Sequence, residues 1–370
     1  MEEKRILVVT HELSRTGAPI VLRDLLRQLS EEFEVWILSP EDGPLRDDFE
    51  QLGQVTILPP EGVEGSILRR LKYAGIPIRF KKFLNMLRAW KPQGIYYNSA
   101  ASLPYVSQLA PLGLPVLVHL HEMETSLLRW VKSYQESLRG ADRIVAVSEA
   151  VKNSLLSLFE FKDSTVRVIP NFIVVSPLLP SDTRSGFVVG GCGAPGWIKG
   201  SSLFVQVAAE VTALLPDAKI QFKWLGWKDT ADGQQMRDEV RKMDLEAIIE
   251  LLPPRPDPQN FFKTLSVFAL TSWQDSFPLV VLENMSQGNP VLCFENSGGA
   301  TDAVAGCTEP LKRFSALKMA ESIIHYYQFP EDRKRDGDKC RQRALDVYNP
   351  DVIVPQFRDE LNALIEGRKP

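Results

Sequence analysis

The sequence contains few cysteines and no long run of apolar residues. Its four cysteines, Cys192, Cys293, Cys307 and Cys340, are widely spaced. This spacing indicates neither a disulfide framework nor a metal site, and a reducing compartment is the simpler interpretation. No segment approaches the roughly 18 apolar residues of a membrane-spanning helix. The charged first residues lead directly into an apolar run, unlike a secretory signal. These absences predict a cytoplasmic protein.

An excess of charge of one sign is also missing. The chain has 43 Lys and Arg residues against 47 Asp and Glu residues, a net charge of -4 that identifies no partner by itself. No nucleic-acid-binding motif is present, so nucleic acid is not an expected partner. At 370 residues the chain is too long for one ordinary hydrophobic core. We therefore expect two domains.

Short apolar runs alternate with helical patterns along most of the chain, which predicts an α/β fold with doubly wound parallel sheets. A proline-rich segment at 168–185 interrupts the alternation, which then restarts at Gly186. The predicted domains are 1–178 and 179–348, and 349–370 forms a helix that packs back on the body. The predicted strands are 5–10, 34–38, 55–58, 94–97, 116–120 and 144–147 in the first half, and 186–193, 220–225, 248–252, 267–270 and 290–294 in the second.

Four residues at or after the ends of predicted strands in the first domain are candidates for ligand contacts. Gly17 lies in the loop between the first strand and a helix at 19–29, an arrangement that suits an approaching phosphate or simply permits a tight turn. Asn98, His119 and His121 lie at or just past strand ends, at the edge where such sheets bind ligands. We expect His121 to face the ligand cleft and His119 to lie deeper in its strand.

The segment 270–300 organises the second domain. A loop carrying Asp275 follows an apolar run, and a helix carrying Glu283 follows the loop. The first amides of such a helix point at the loop and favour an anionic ligand. Lys199 precedes another helix and could add positive charge for a diphosphate, or could be an ordinary solvated lysine. In the proline-rich turn 252–262, Arg255 is the obvious side-chain donor for a base.

Two further patterns admit more than one interpretation. Gly191, Gly193 and Gly196 spell G-x-G-x-x-G, a weak match to a nicotinamide-binding motif because no clear acid follows the next strand. The segment 65–92 has eight basic residues and no acidic one, interleaved with apolar residues. It predicts either a surface for acidic membranes, on the inner face of the membrane, or a solvated helix that covers the sheet.

The segment 275–291, DSFPLVVLENMSQGNPV, has an acid, seven residues, a glutamate and then Gly-x-Pro-Val. This pattern is similar to the donor-site signature of glycosyltransferase family 4, whose members are retaining sugar transferases of the GT-B architecture, with two Rossmann-like domains facing across a cleft. The likeness extends over nearly the whole chain. Shorter matches are TGAP at 16–19, HLHE at 119–122, VSEAV at 147–151, IPN at 169–171, WIKG at 197–200 and FKWLG at 222–226.

The resemblance implies transfer of a hexose from a nucleotide-sugar, such as UDP-glucose, to a glycan or lipid-linked acceptor in exopolysaccharide or envelope polysaccharide synthesis, without a metal or other cofactor. Glu283 would hold the ribose, Asp275 the donor sugar, and Lys199 with the Gly17 loop the diphosphate, while His121 would lie near the reacting carbon. The expected catalytic residues are His121 and Asp275, and the expected donor-binding residues are Gly17, Ala18, Lys199, Arg255, Phe277, Pro278, Leu279 and Glu283.

The sequence departs from the family pattern where many members carry further charges. Many members have an arginine shortly before the lysine and an arginine–glutamate pair before the Asp275 position. Here Gly193 or Ala194, Trp273 and Gln274 stand at these places. Fewer cations would face a diphosphate, so a second hypothesis is a catalytically weak relative that binds nucleotide-sugar or polysaccharide within a biosynthetic assembly.

Overall fold

A computed structural model describes residues 4–60, 76–174 and 186–367. The chain divides into two compact units. The first unit comprises Met1–Pro170 and Ile353–Pro370, and the second comprises Asn171–Val352.

The first unit is built on a seven-stranded parallel sheet in the order β3-β2-β1-β4-β5-β6-β7. Its strands are apolar because helices cover both faces of a parallel sheet of this kind. The strand order reverses between β1 and β4, which makes their carboxyl ends the expected ligand-binding edge. The strands are β1 Lys4–Thr10, β2 Phe33–Ser39, β3 Gly53–Ile57, β4 Gly94–Asn98, β5 Val116–Leu120, β6 Arg143–Ala146 and β7 Val166–Val168.

Helices and short turns connect these strands. The helix after β6 begins where the Ser148 hydroxyl accepts a hydrogen bond from the Val151 backbone N–H, a side-chain cap that satisfies one of the free amides of the first turn. The α-helices are Gly17–Leu29, Arg46–Glu50, Ile76–Trp90, Val106–Leu109, Glu124–Trp130, Gln135–Arg139 and Glu149–Leu158, and the 3-10 helices are Ala100–Tyr105, Ala110–Leu112 and Asp163–Thr165.

The final helix, Pro350–Ile365, packs most of its length against the first unit. The Phe357 ring lies 4.9 Å from the His119 ring, centre to centre. Glu360 is buried and accepts hydrogen bonds from Arg143 on β6 at 2.6 Å and from Arg167 on β7 at 2.5 Å. This ionic triad ties the helix to the edge of the sheet.

The second unit contains a five-stranded parallel sheet in the order β10-β9-β8-β11-β12. Its order reverses between β8 and β11, so the loops after these two strands should meet at the ligand-binding edge. The strands are β8 Phe187–Cys192, β9 Ile220–Leu225, β10 Ile249–Leu252, β11 Val267–Ala269 and β12 Val291–Leu292, and the helices are Ser201–Leu214, Ala231–Lys242, Gln259–Phe262, Leu279–Ser286, Ala300–Val304, Ala316–Gln328 and Pro330–Val347.

The predicted doubly wound parallel architecture is confirmed, and the observed bounds of β5 and β9 are those predicted. The short strand β7 was not predicted. Of the basic stretch 65–92, residues 65–75 lie outside the described residues, and the rest contains the helix Ile76–Trp90. Within the described ranges, no helix is long and apolar enough to cross a membrane.

Candidate functional site

In the second unit, the loops after β8 and β11 are fastened side by side. The Thr271 hydroxyl donates a hydrogen bond to the Lys199 carbonyl at 3.1 Å, and the Trp273 N–H donates to the Ile198 carbonyl at 2.9 Å. Gly200 has φ 62, and a Cβ there would lie 1.9 Å from the Thr271 carbonyl oxygen. Only glycine fits this close approach. The contact places Lys199 at the point where the strand order reverses.

Lys199 forms an ion pair with Asp275. Its Nζ lies 2.6 Å from Asp275 Oδ2, and Ser272 Oγ donates to the same oxygen at 3.3 Å. The Asp275 side chain is 8% exposed, whereas that of Lys199 is 32% exposed. The Asp275 N–H donates to the Ser297 carbonyl at 2.7 Å, so the backbone position of the acid is fixed. The pair therefore presents a partly exposed ammonium on a buried carboxylate.

Glu283 belongs to the same group of charges. It lies on the helix between β11 and β12, and its Oε1 accepts a hydrogen bond from Gln259 Nε2 at 3.1 Å. At the end of β8, the pKa of the Cys192 thiol is raised to about 12, first by burial and then by the negative charge of Glu283. Asp275 acts in the same direction and Lys199 in the opposite one. All three charged groups therefore act on the pKa of the Cys192 thiol at the end of β8.

A short segment, Phe277 and Pro278 with the Leu279 amide, joins the Asp275 loop to the helix Leu279–Ser286. The Phe277 ring is buried 5.4 Å from the Tyr348 ring, centre to centre, and its carbonyl accepts a hydrogen bond from Asn171 Nδ2 at 2.8 Å. Pro278 has no N–H and cannot donate to a ligand. Leu279 begins the helix, so its amide is one of the first-turn donors without an intrahelical partner. The expected donor-binding role of Pro278 is therefore limited to shape.

Arg255 does not join the other predicted site residues. It is exposed in the loop after β10, an edge strand separated from β8 by β9. The residue from this region that reaches the charged group is Gln259, at the start of the next short helix. Arg255 is the only cationic side chain in the turn 252–262, and its predicted contact with a base stays a prediction.

At the ligand-binding edge of the first unit, His121, Asn98 and Ala18 are linked. Asn98 Nδ2 donates to the Ala18 carbonyl at 3.2 Å, and His121 Nε2 lies 3.1 Å from Asn98 Oδ1. Because this oxygen accepts, the geometry favours a proton on His121 Nε2. Gly17 is exposed at the start of its helix, and a Cβ there would meet nothing within 4 Å. Open space therefore lies beside the Gly17 backbone.

His121 is held in its neutral form. Burial lowers its pKa well below the ordinary value, and the neighbouring His119 and His11 lower it further. Burial also lowers the pKa of His119 to about 3. His119 is fully buried, with its Nδ1 2.7 Å from the Tyr96 hydroxyl. His121 can therefore hydrogen-bond to a ligand but carries no positive charge near neutral pH.

Two further residues position His121 and were not among the predicted site residues. The His121 backbone N–H donates to Glu122 Oε2 at 2.8 Å, and the Ser99 hydroxyl donates to the other carboxylate oxygen of Glu122. Ser99 has φ 91, a conformation that costs a non-glycine residue of order 1–3 kcal/mol. Strain of this kind concentrates at functional sites. The HLHE motif contains Glu122, but nothing in the sequence pointed to Ser99.

Two known family profiles match the chain, one in each unit. A profile described as Glycosyltransferase Family 4 matches residues 15–176, and a profile described as Glycosyl transferases group 1 matches residues 185–328. Together they match most of the chain, in the order of its two units. The chain belongs to glycosyltransferase family 4.

Solved structures with the same architecture cover almost the entire chain. HepE from Anabaena, in complex with UDP and glucose, aligns with a TM-score of 0.82 over 98% of this chain and 100% of that chain, at 18% identity. Sucrose-phosphate synthase from Thermosynechococcus elongatus aligns with a TM-score of 0.79 over 99% of this chain and 100% of that chain, also at 18% identity. These likenesses show that the fold is GT-B, as the sequence predicted.

Curated relatives match shorter segments. D-inositol 3-phosphate glycosyltransferase from Kineococcus radiotolerans is 26% identical over 176 residues, which is 43% of this chain and 40% of that protein. Amylovoran biosynthesis glycosyltransferase AmsD from Erwinia amylovora is 21% identical over 238 residues, 60% of this chain and 62% of that protein. The chain therefore matches less than two thirds of the length of either relative.

Metal ligands are not grouped in the described part of this chain. No three His, Cys, Asp or Glu side chains there are placed to hold an ion. The sequence does contain one Asp-x-Asp triplet, Asp336 to Asp338, but it lies on the helix Pro330–Val347. Asp338 pairs with Lys334 at 2.6 Å, and Asp336 pairs with Arg335 at 3.1 Å. The triplet is therefore part of a surface ion-pair cluster.

Proposed function

We propose that this chain is a retaining glycosyltransferase that moves a hexose from a UDP-linked donor to a glycan or lipid-linked acceptor. The observation that carries the proposal is the Lys199–Asp275 ion pair where the strand order reverses. Glu283 lies on the helix that follows the Asp275 loop. HepE, which shares the fold, is described in complexes with UDP and with UDP-glucose. We propose an acceptor in polysaccharide synthesis, and the similarity to AmsD, an amylovoran biosynthesis glycosyltransferase, supports a biosynthetic role.

The chemistry of sugar transfer explains why these groups are needed. As the glycosidic bond to the donor breaks, negative charge develops on the departing diphosphate and positive charge on the sugar. Preorganised donors that meet this negative charge lower the barrier more than any other single contribution in many enzymes. Lys199 and the first amides of the helices after β8 and β11 can supply these donors. In this proposal no metal is required, and Asp275 contacts the donor sugar.

Binding of the diphosphate would compete with the Lys199–Asp275 ion pair. The ammonium is the more exposed member of the pair, and the side chain has the rotational freedom to turn toward an incoming anion. Asp275 would then be free to accept hydrogen bonds from sugar hydroxyls, since an ionised carboxylate is a strong acceptor. We propose that the ion pair holds both groups in place until the donor arrives.

Glu283 is proposed to bind the ribose, and its replacement provides the test. We expect Glu283→Gln to weaken UDP binding by about 10-fold to 100-fold, because a carboxylate accepts stronger hydrogen bonds from a diol than an amide does. Isothermal titration calorimetry with UDP measures the change. Glu250→Gln is the matched control, since Glu250 pairs with Lys223 on the neighbouring strands β9 and β10. Equal UDP affinity in wild type and Glu283→Gln would contradict the assignment.

In the first unit, we propose that neutral His121 hydrogen-bonds the hexosyl group or its acceptor, and that the Gly17–Ala18 turn approaches the diphosphate. A neutral imidazole stabilises a hydroxyl without adding positive charge beside a sugar that is becoming positive. Its fixed position through Asn98 and Glu122 supports this role. We propose that the chain acts in the cytoplasm.

A catalytically weak nucleotide-sugar-binding protein is the second candidate function. The observation that favours it is the presence of Ala194, Trp273 and Gln274 where many family members carry charges. UDP release in the presence of a panel of glycan and lipid-linked acceptors distinguishes the two functions. Tight UDP-glucose binding without release of UDP beyond that of a protein-free control would favour the binding protein.

Contact with an acidic membrane is proposed for the helix Ile76–Trp90. Its buried side chains are Phe80, Phe83 and Leu87, whereas Ile78 and Met86 are 78% and 45% exposed. Lys82 lies between these two apolar residues at helical spacing. Exposed apolar side chains among basic ones suit a surface that binds anionic lipid. In the described part of the basic stretch, residues 76–92, the exposed basic residues are Arg79, Lys81, Lys82, Arg88 and Lys91.

We expect charge reversal of Lys81 and Lys82 to glutamate to reduce sedimentation with phosphatidylglycerol vesicles by about tenfold or more, since each basic residue near such a surface contributes about 1 kcal/mol. Raising the salt concentration should weaken binding of the wild type. Reversal of Lys318 and Lys334 is the control, because it changes the net charge equally on exposed lysines of the second unit. Sedimentation that neither salt nor reversal changes would contradict the membrane proposal.

A further inference from the structure

A row of aromatic rings leads from the core of the second unit to its surface. Phe294 is fully buried after β12, and the Phe314 ring lies against it at 4.8 Å, centre to centre. The Trp273 ring stacks on Phe314 at 4.5 Å with planes 9° apart. The Trp197 ring is parallel to Trp273, at 6.2 Å and 4°. The row therefore fixes the orientation of its outermost ring.

The outermost residue, Trp197, is 59% exposed, and the next residue, Ile198, is 44% exposed. Burial of large apolar side chains is favourable, so two consecutive exposed ones are unusual in a segment whose only role is packing. The parallel rings and the backbone hydrogen bond from Trp273 to Ile198 hold the indole in place without covering it. A rigid, exposed aromatic plane is suited to contact with a ligand.

The aromatic row is continuous with the proposed donor site. Trp197 is two residues from Lys199, and Trp273 is two residues from Asp275. An apolar plane and a carboxylate therefore occur on the same pair of fastened loops. A pyranose ring has this same division of character, with C–H groups on its faces and hydroxyls around its rim. Glu283, the proposed ribose ligand, instead contacts Gln259 on the short helix Gln259–Phe262. The aromatic row therefore shares its loops with Asp275, the proposed contact of the donor sugar.

We propose that the exposed indole of Trp197, supported by Trp273 and Phe314, is a stacking platform for a pyranose ring. The ring would be the donor hexose or a sugar of the acceptor, and the assignment rests on the proposed function. The platform also gives a role to Trp273, which stands where many family members carry a charged residue. At this position the chain has a ring that supports Trp197 in place of a cation that faces the diphosphate.

Substitution of Trp197 by alanine and by phenylalanine tests the platform. Calorimetry with UDP and with UDP-glucose gives the donor arm, and saturation-transfer NMR with maltotriose and the methyl glycosides of glucose, galactose, mannose and N-acetylglucosamine gives the free-sugar arm. We expect Trp197→Ala to weaken sugar binding about tenfold, and Trp197→Phe to retain most of it because a smaller ring still stacks. Leu214→Ala is the control, since Leu214 is an exposed apolar residue, 49% exposed, at the other end of the helix after Gly200.

The results of the two arms separate the possible origins of the ring. Weaker binding of UDP-glucose with unchanged binding of UDP identifies the donor hexose, and loss of saturation transfer to the free sugars alone identifies the acceptor. Equal weakening of UDP and UDP-glucose would assign the indole to the nucleotide and overturn the proposal, as would unchanged binding of every probe. If the wild type binds free sugars through Trp197 but binds neither UDP nor UDP-glucose, the platform stands and the proposed donor function fails.

Discussion

Replacing Lys199 by alanine is expected to reduce kcat/KM for transfer from a UDP-hexose by about 10²-fold to 10³-fold, the loss typical when one preorganised group that meets developing negative charge is removed. The ammonium is 2.6 Å from Asp275 and partly exposed, at the edge where the helix amides also point. Its loss leaves the diphosphate with backbone donors alone. Steady-state measurement of UDP release gives the change.

The Lys199 result needs a control for the loss of an ion pair as such. Lys223 provides it, because its Nζ lies 2.7 Å from Glu250 and its side chain is 30% exposed, close to the 32% of Lys199. Lys223→Ala should leave kcat/KM within about twofold, since exposed ion pairs contribute little. In Lys199→Ala, Asp275 stays buried without its ion-pair partner. Comparison of the thermal midpoints of this variant and the wild type shows whether that loss destabilises the protein. A folded Lys199→Ala variant with wild-type kcat/KM would contradict the assignment of Lys199.

Replacing Glu360 by alanine is expected to lower the free energy of unfolding of the first unit by about 3–5 kcal/mol, the range for breaking a buried ion pair. The Glu360 side chain is 6% exposed, and that of Arg143 is 7% exposed. Without Glu360, the buried guanidinium of Arg143 loses its ion pair with this carboxylate, and the final helix loses its ionic contact with β6 and β7. Native-state hydrogen exchange of peptides from these strands measures the change locally, which avoids assuming that both units unfold together.

A surface ion pair of the same chemistry is the control for Glu360. Glu50 pairs with Arg46 at 2.7 Å, and their side chains are 46% and 43% exposed. Glu50→Ala should cost no more than about 1 kcal/mol. If Glu360→Ala changed the exchange free energies of β6 and β7 by as little as the Glu50 variant does, the buried triad would not anchor the helix.

Hydrophobic patterning was sufficient to predict the fold because most strands are buried on both faces and therefore read as continuous apolar runs. The strands β5 and β9 have the predicted bounds for this reason. Val166–Val168 was missed because it is only three residues long and has the charged Arg167 at its centre. Its strand conformation depends on pairing with β6 and on the contact of Arg167 with Glu360, and neither is visible locally.

The charged residues of the candidate site could be selected from the sequence because they lie between an apolar run and the helix that follows it. Lys199 and Asp275 were selected in this way, yet their direct contact depends on two loops 76 residues apart in the chain. Contacts that depend on the path of a loop could not be predicted in this way. The residue type of Arg255 predicts a donor for a base, but the sequence does not indicate that Gln259 contacts Glu283. Ser99 was missed because backbone strain has no local sequence signal.

A crystal structure with bound UDP-glucose is the most direct test of the proposed donor site in the second unit. We predict that the diphosphate lies within hydrogen-bonding distance of Lys199 Nζ, that Glu283 accepts hydrogen bonds from the ribose hydroxyls, and that Asp275 contacts the hexose. A nucleotide bound without contact to Lys199 and Glu283 would contradict the proposed site.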